Sequence, residues 1–318
     1  MSASGIRILF AGDSDYANCS NRVARAINEY AGFKCARVLL KNRHRLGYYQ
    51  DLYTDDGGLQ AAISHLKSGS SSIVLTTGDG SYDLVKLISS RLDIPIGSLH
   101  VGTPYRENSR GFDVEDLKLG SVIRFISPDS IYLTKVNCLP YLHCIDRRRI
   151  SPIRKIESPI VFHSPTSDSM KGTPFILKAI ESTIKEVSPK PFKYRVIRGM
   201  SYEGCRAERS KGHIFIGQLN TRVGGFGYSS VEAAADGLVP IASMNNSPAS
   251  VWSDVGLDEP PVLNATDESS LSRLLCDLIR DPDMLYECRV RAYEWATCGS
   301  VSMIKAGGYY VDQISRVI

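Results

Sequence analysis

Residues 222–244, RVGGFGYSSVEAAADGLVPIASM, contain four predicted parts in a fixed order. A glycine-rich loop at 224–227 precedes a predicted helix that begins at Tyr228 and stops at Gly237, and glycine often follows the end of a helix. Residues 239–242 then form a short apolar run typical of a buried strand. Glycines let a backbone approach a ligand closely, and the first N–H groups of a helix have no partner inside it. The stretch therefore predicts an anion site.

One acidic residue, Glu232, lies just inside this predicted helix. A carboxylate there can accept hydrogen bonds from the two vicinal hydroxyls of a ribose. Such a site suits a diphosphate that carries a sugar. The alternative is a purely structural strand–loop–helix–strand unit with no ligand, and the glycine-rich loop alone leaves both interpretations open.

A family resemblance favours the ligand site. The run GFGYSSVEAAADGLVPI at 225–241 resembles the G-x-G-x-x-x-x-E-A-x-A-x-G-x-P-V signature of retaining GT-B glycosyltransferases. Residues 160–165 with Met170-Lys171-Gly172-Thr173 resemble the strand, loop and K-G-T that open the C-terminal domain of that family. A weaker match at 99–107 is similar to the H-G-x-x-x-R-E segment of its N-terminal domain. The three matches occur in the family's order, so the resemblance covers nearly the whole chain.

Apolar runs alternate with amphipathic segments in both halves, and this predicts an α/β protein with parallel sheets covered by helices on both faces. Strands are predicted at 6–11, 35–40, 73–76, 94–101, 160–163, 193–197, 213–219, 239–242 and 262–263. Helices are predicted at 19–30, 59–66, 82–92, 173–187, 202–210, 271–279, 282–295 and 301–318. Further apolar runs lie at 121–126 and 131–133. Charge and two prolines interrupt the pattern at 146–159.

The resemblance implies the GT-B architecture, in which two Rossmann-like domains face each other across a cleft. The predicted boundaries give an N-terminal acceptor domain at 1–155 and a donor domain at 156–298, and a last helix at 299–318 that crosses back to the first domain. Gly307 and Gly308 are expected to weaken that helix and permit a bend. Its expected buried stripe consists of Val301, Ile304, Val311, Ile314 and Ile318.

Length and composition are those of a soluble, two-domain protein. The chain has 318 residues, of which 43% are hydrophobic and 23% charged, enough to bury two cores. No apolar run approaches the ~20 residues of a membrane span, and no signal peptide is visible. The eight cysteines are scattered without a C-x-x-C pair. A reduced, cytoplasmic protein without a zinc site is the expectation.

Positive charge is concentrated in the first half of the chain. Residues 1–158 carry 21 Lys and Arg against 16 Asp and Glu, a difference of +5, and residues 159–318 carry 17 against 18, a difference of −1. The densest points are residues 41–45 and 147–149. A solvated surface is one interpretation, and a surface that meets an anionic acceptor such as DNA, a lipid or a glycan is the other. Arg43, Arg45 and Arg106 are the acceptor candidates.

Several donor-binding candidates follow from the resemblance. Lys171 corresponds to the family's lysine on the donor diphosphate, where an ammonium adds to the charge of a helix start. The family often has an arginine at the position of Thr166, and Arg198 is the candidate to replace it. Gly225, Phe226, Gly227, Tyr228 and Ser229 belong to the predicted anion loop.

Glu232 corresponds to the second glutamate of the family's Glu-x7-Glu pair, which contacts the ribose. The first glutamate is replaced by Gly224. That glutamate lies near the donor sugar in the family, so its loss leaves the sugar and catalysis itself open. Backbone N–H groups of Gly225 and Phe226 are the alternative donors to sugar hydroxyls.

Candidates from the first half are Gly12, Asp13 and His100. Gly12 ends the first predicted strand and permits close approach of the donor phosphates. Asp13 is a candidate helix cap or acceptor contact, and metal binding through Asp13 and Asp15 is the less favoured alternative. His100 lies one residue before the place of the family's histidine, where this chain has Val101. A core histidine is the other interpretation of His100. His163 is the histidine best placed near the K-G-T loop.

The sequence thus predicts a glycosyltransferase that transfers a sugar from a nucleotide-diphosphate sugar to an acceptor hydroxyl. By resemblance it is retaining and metal-independent, with His100, Asp13 and Lys171 as catalytic candidates and no cofactor. One alternative is a non-catalytic module that binds a nucleotide sugar. Another is a DNA-modifying transferase. The missing G-x-G-x-x-G and G-x-S-x-G patterns argue against NAD-type oxidoreductases and serine hydrolases.

Overall fold

The computed structural model of the chain describes residues 5–15, 18–42, 51–55, 57–77, 82–146, 150, 152–219, 225–245 and 250–318. The chain divides into two compact units. The N-terminal unit consists of Met1–Cys144 together with Met303–Ile318, and the C-terminal unit consists of Ile145–Ser302. Within the described ranges, no helix combines the length and the apolar character that crossing a membrane requires.

The first part of the chain alternates short strands with helices. Its strands are β1 Ile6–Gly12, β2 Ala36–Leu40, β3 Leu52–Tyr53, β4 Ser71–Thr76, β5 Ile96–His100, β6 Ile123–Ile126 and β7 Leu139–Pro140. Its helices are α1 Cys19–Ala31, α2 Gly58–Lys67, α3 Asp83–Leu92 and α4 Gly102–Lys118, followed by a 3-10 helix at Pro128–Leu133. Helix α4 is kinked at Asn108.

The alternation restarts in the second part. The strands are β8 Ile160–His163, β9 Lys193–Val196, β10 Ile214–Ile216, β11 Val239–Ala242 and β12 Leu263–Asn264. The helices are α5 Asp168–Lys171, α6 Thr173–Val187, α7 Tyr202–Arg209, α8 Tyr228–Ala235, α9 Ser250–Ser253, α10 Glu268–Arg280, α11 Pro282–Cys298 and α12 Met303–Ser315. Helix α12 belongs to the N-terminal unit.

Each unit contains one parallel sheet, as the alternation predicts. The strand order is β3-β2-β1-β4-β5-β6-β7 in the N-terminal unit and β12-β11-β10-β8-β9 in the C-terminal unit. The carboxyl ends of β8 and β10 are in register, with His163 opposite Ile216. Because all strands of a sheet run the same way, the loops that follow them meet at one edge. The candidate donor residues lie at the carboxyl ends of strands, in such loops or in the helices that follow them.

Helix α4 is absent from the sequence predictions. Its buried face carries Tyr105, Asp113 and Asp116. A pattern of apolar and polar residues predicts exposed positions for the two aspartates. They are accommodated because each bonds to a buried arginine, Arg124, on β6. A helix packed through ion pairs has no apolar stripe, and hydrophobic periodicity therefore misses it.

The expectation for the last helix is partly wrong. Val301, Val311 and Ile314 are buried, but Ile304 is half exposed and Ile318 is partly exposed. The buried face of the helix also includes Met303, Ala306, Gly307 and Tyr310. A side-chain carbon on Gly307 would lie only 2.0 Å from the carbonyl oxygen of Ala26 in α1. The glycine therefore permits close helix–helix packing, and the expected bend stays a prediction.

Candidate functional site

Lys171 ends a short helix at a turn that favours glycine. It is the last residue of α5, and Gly172 behind it has a φ of 72° while it caps both α5 and α6. This left-handed conformation carries little penalty for glycine. The K-G-T sequence therefore turns the chain sharply after β8 and starts α6 at Thr173.

A short chain of hydrogen bonds links Lys171 to the glycine-rich loop. The Nζ atom of Lys171 donates to Oε1 of Gln218 over 3.1 Å, and Nε2 of Gln218 donates to the carbonyl oxygen of Gly225 over 2.7 Å. Gln218 is buried. Sequence reasoning missed this glutamine; its place directly after a buried strand, at the same sheet edge as Lys171, is the signal that could have identified it.

The ammonium of Lys171 lies beside the start of α8. A side-chain carbon built on Gly227, the residue before α8, would be 3.6 Å from Nζ of Lys171. Gly227 is the N-cap residue of α8 and has no side chain, so no side-chain hydrogen bond caps the helix there. The positive end of the helix and the ammonium therefore add at one point, where they favour an anion.

Phe226 anchors the loop below this point. Its ring is buried and lies 5.7 Å from the Trp252 ring and 6.1 Å from the Trp295 ring, measured between centroids. The N–H group of the preceding Gly225 donates to the carbonyl oxygen of Ser243. This N–H group therefore already has a backbone partner, and its expected contact with a sugar hydroxyl stays a prediction.

Glu232 is buried in a cluster of charges under α8. Its Oε1 accepts from the hydroxyl of Tyr202 over 2.6 Å, and its Oε2 is 3.1 Å from Nη1 of Arg209. Arg209 also bonds to Asp236 over 3.0 Å. Burial alone would lower the pKa of Arg209, but Glu232 and Asp236 outweigh it and raise that pKa. Each carboxylate oxygen of Glu232 has a second lone pair, with which it can accept a further hydrogen bond. The ribose contact of Glu232 stays a prediction.

Arg198 extends from the end of β9 toward α5. Its Nη2 is 2.7 Å from Oδ1 of Asp168, three residues before Lys171, and both side chains are about half exposed. The hydrogen bond from Arg198 holds the pKa of Asp168 below its usual value. The arginine thus lies next to the helix that ends at Lys171. Its use as a phosphate ligand, in place of the family's arginine that is missing at Thr166, stays a prediction.

His163 serves the structure of the loops rather than their surface. It is fully buried, with Nδ1 2.9 Å from the carbonyl oxygen of Ile216 and Nε2 2.9 Å from the hydroxyl of Thr173. The carbonyl can only accept, so Nδ1 carries the proton and Nε2 accepts from Thr173. Burial lowers the pKa of His163 to about 4.

The N-terminal unit has its own candidate loop after β1. Asp13 follows Gly12 and pairs with Nζ of Lys41 over 2.7 Å, and the backbone N–H of Lys41 donates to the carbonyl oxygen of Gly12. Both charged side chains are partly exposed. Arg106 pairs with Asp129 over 2.9 Å. The acceptor candidates Arg43 and Arg45 lie outside the described residues, as do residues 147–149 and Gly224.

His100 lies inside the N-terminal unit and not at its surface. Its side chain is 1% exposed, its Nε2 is 2.7 Å from Oδ2 of Asp116, and its ring stacks on Tyr105 at 4.9 Å. Asp116 also accepts from Arg124 and Tyr82. Burial would raise the pKa of Asp116, but the bonds from His100 and its other partners hold it below the usual value. This position matches the core interpretation and argues against direct contact of His100 with a substrate.

No protein-family model matches the chain, and no curated protein sequence matches it. Solved structures do. A structure of Anabaena HepE in complex with UDP-glucose superposes with a TM-score of 0.64 at 11% identity, covering 98% of this chain and 99% of that one. A glycosyltransferase from Rickettsia africae gives 0.60 at 10% identity, with 98% of both chains covered.

A third similar structure is a point mutant of Staphylococcus aureus TarM, solved in complex with fondaparinux, α-GlcNAc-glycerol and UDP. It gives a TM-score of 0.56 at 11% identity over 80% of this chain and 58% of that one. At such identities the likeness shows the fold. The resemblance read from the sequence is confirmed at that level: the chain has the GT-B fold.

Proposed function

We propose that the protein is a glycosyltransferase that transfers a sugar from a nucleoside-diphosphate sugar to an acceptor hydroxyl. The observation that carries the proposal is the convergence of Lys171 with the start of α8 across Gly227. A lysine ammonium and a helix start together fit a diphosphate. In a sugar transfer the diphosphate leaves with increased negative charge, so the same groups stabilise the transition state more than the ground state.

The proposed reaction retains the configuration of the sugar and needs no metal ion. Lys171 and the first N–H groups of α8 hold the leaving phosphate, whose oxygen accepts the proton of the attacking hydroxyl. The bond from the anomeric carbon to the phosphate oxygen breaks as the bond to the acceptor oxygen forms. No protein nucleophile enters this scheme, and the glycine at position 224 is compatible with it.

Two comparisons support the nucleotide. HepE was solved with UDP-glucose and TarM with UDP, so UDP sugars are the first donors to test. Glu232, in the first turns of α8, is the proposed ribose contact, with Tyr202 and Arg209 fixing its carboxylate. Arg198 is the proposed second phosphate contact. To bind the phosphate, its guanidinium would release Asp168.

The test is turnover. Purified protein is incubated with UDP-glucose, UDP-N-acetylglucosamine and GDP-mannose in the presence of candidate acceptors, with and without EDTA. Release of nucleoside diphosphate with an anomerically retained product, unchanged by EDTA, is the expected result. Tight binding of a nucleotide sugar without any release would instead identify the non-catalytic module. Activity that disappears with EDTA and returns with manganese would refute metal independence.

The acceptor is proposed to be anionic and to bind the basic first half of the chain, through Arg43, Arg45 and Arg106 and through the arginines at 147–149. The supporting observation is the +5 charge difference of the first half. Replacing Arg43, Arg45, Arg147 and Arg148 with serine should raise the acceptor KM and flatten its salt dependence. Equal transfer by the quadruple variant and the parent at every ionic strength would mean that the acceptor is not recognised by these charges.

A further inference from the structure

The C-terminal unit contains a second site at the opposite edge of its sheet. A cavity of about 630 Å³ is lined by Arg154, Lys211, His213, Asp236 and Arg289 together with apolar residues of the segment before β8. His213 immediately precedes β10, and Arg289 bonds to Gly237 just before β11. These are the amino ends of the strands, whereas Lys171 and the glycine-rich loop follow carboxyl ends. The cavity is therefore distinct from the proposed donor site.

Arg289 is the unusual residue of this cavity. It is 7% exposed, its Nε donates to the carbonyl oxygen of Gly237 over 2.8 Å, and its Nη1 donates to that of Arg154 over 3.1 Å. Its Nη2 makes no hydrogen bond to any residue that the structure describes, and no described carboxylate forms an ion pair with it. Burial without a counter-charge lowers the pKa of Arg289 to about 10.

Two other buried arginines have carboxylate partners of the kind that Arg289 lacks among the described residues. Arg124 is paired with Asp113 and Asp116, and Arg209 is paired with Glu232 and Asp236. A buried guanidinium without such a partner is strongly unfavourable. An anion bound in the cavity would supply the counter-charge that the described residues do not give Arg289.

His213 adds a neutral donor to the cavity. The backbone N–H of Ile160 donates to its Nδ1 over 2.9 Å, so the proton of the neutral ring is on Nε2. Burial, with Arg289 nearby, lowers the pKa of His213 to about 4. At neutral pH the ring therefore has one N–H group to offer and no charge.

The remaining charges leave the cavity basic. Arg154 and Lys211 are exposed at its rim, and Lys211 shares its ammonium with Glu208. The lining carboxylate, Asp236, is bonded to Arg209. Guanidinium, imidazole N–H and ammonium groups are all donors, and a phosphate presents three acceptor oxygens to groups that approach from different sides.

We propose that this cavity binds a phosphate-bearing small molecule, with the phosphate on Nη2 of Arg289 and the N–H of His213, and with Arg154 at the rim. A cavity of this volume is larger than a phosphate ion requires and falls in the range of small-molecule sites. The apolar lining beside Arg154 receives the organic part. The inference is independent of the proposed transfer reaction.

The test measures binding of inorganic phosphate and of a hexose phosphate by calorimetry at constant ionic strength. Wild type and the exposed control Lys178→Ser should bind the ester alike, in a saturable manner. Arg154→Ser should bind it about tenfold or more weakly, as expected for loss of one charge-assisted contact. Arg289→Gln should show no binding. Tighter binding of the ester than of inorganic phosphate would show that the cavity contacts the organic part of the ligand. Equal binding would identify free phosphate as the ligand and overturn the proposal of a phosphate-bearing small molecule.

A second measurement does not depend on the stability of the Arg289 variant. In wild-type protein the side-chain Nε2–H resonance of His213 should move on addition of the hexose phosphate. Binding that is lost in Lys171→Ala and kept in Arg289→Gln would assign the phosphate to the glycine-rich loop and overturn the proposal. A stationary His213 resonance, or unchanged affinity in Arg154→Ser, would overturn it as well.

Discussion

The two units bury the same kind of charge cluster in different places. In the N-terminal unit Arg124 lies between Asp113 and Asp116, with a tyrosine hydroxyl, that of Tyr82, on Asp116. The C-terminal counterpart consists of Arg209, Glu232, Asp236 and the hydroxyl of Tyr202.

The difference lies in what each cluster supports. The N-terminal cluster joins α4 to β5 and β6 in the interior, and it also holds His100. The C-terminal cluster includes Glu232, five residues after Gly227 on the helix that starts at the glycine-rich loop. The same electrostatic arrangement is thus core structure in one unit and the support of a candidate ligand site in the other. Changes in the first should alter stability alone, and changes in the second should alter binding in addition to stability.

The largest effect is expected from Asp116→Asn. Arg124 and His100 would lose their shared carboxylate inside the core, and breaking a buried ion pair costs roughly 3–5 kcal/mol. Urea denaturation followed by circular dichroism should show this loss in the free energy of unfolding, with nucleotide affinity of the folded protein unchanged. Glu115→Gln is the control, because the partly exposed pair of Glu115 with Lys86 is worth only about 0–1 kcal/mol. Equal effects of the two substitutions would contradict the comparison.

Acid pH should act on the C-terminal unit through His163. Its folded pKa of about 4 is below the ordinary value of about 6.5, so the unfolded chain binds the proton more readily. Stability is therefore complete above about pH 6.5 and falls as pH drops toward 4, by an amount on the order of 3 kcal/mol. Both tryptophans of the chain, Trp252 and Trp295, belong to this unit, so fluorescence-detected urea denaturation measures it.

His163→Asn should reduce that pH dependence and leave the part that His213 contributes, since the pKa of His213 is also about 4. An unchanged pH profile in His163→Asn would show that this histidine does not titrate as its burial requires.

Lys171→Ala should weaken UDP binding by about 1.5–3 kcal/mol, the contribution of a hydrogen bond to a charged group. Stability should change little, because the lysine is the last residue of a short helix and its side chain is partly exposed. Calorimetry with UDP gives the affinity, and Lys178→Ala, an exposed lysine of α6, is the matched control. If UDP binds both variants alike, the anion site is not at this lysine.

The smallest and most specific effect on ligand affinity is expected from Glu232→Gln. The amide oxygen still accepts a hydrogen bond from Tyr202. The negative charge that strengthens a hydrogen bond from a ribose hydroxyl is lost, so UDP affinity should fall by about 1 kcal/mol. Pyrophosphate affinity should hardly change, because pyrophosphate has no ribose. Equal losses for both ligands would mean that Glu232 acts only through the buried cluster and the position of α8.

Several parts of this architecture could be predicted from the sequence. The β8 strand, the K-G-T turn and helix α6 occur where the local pattern puts them, because glycine and the alternation of apolar residues act over a few positions. The predicted strand at 213–219 is shorter in the structure, at Ile214–Ile216. Gln218 instead leaves the strand to join Lys171 with Gly225, a partnership between three separate segments that no local pattern contains.

By itself the sequence determined the α/β alternation, the glycine-rich loop before α8 and the resemblance that the similar structures bear out as a fold. These depend on short-range chemistry: backbone freedom at glycine, helix starts and the period of apolar residues. Only the tertiary structure decided which charges share a partner. In the folded protein His100 is buried against Asp116, and the N–H of Gly225 donates to the carbonyl oxygen of Ser243. Gly307 packs against α1, and Arg289 lines a cavity. Burial and pairing depend on residues far apart in the chain, so the sequence pattern carries no direct record of them.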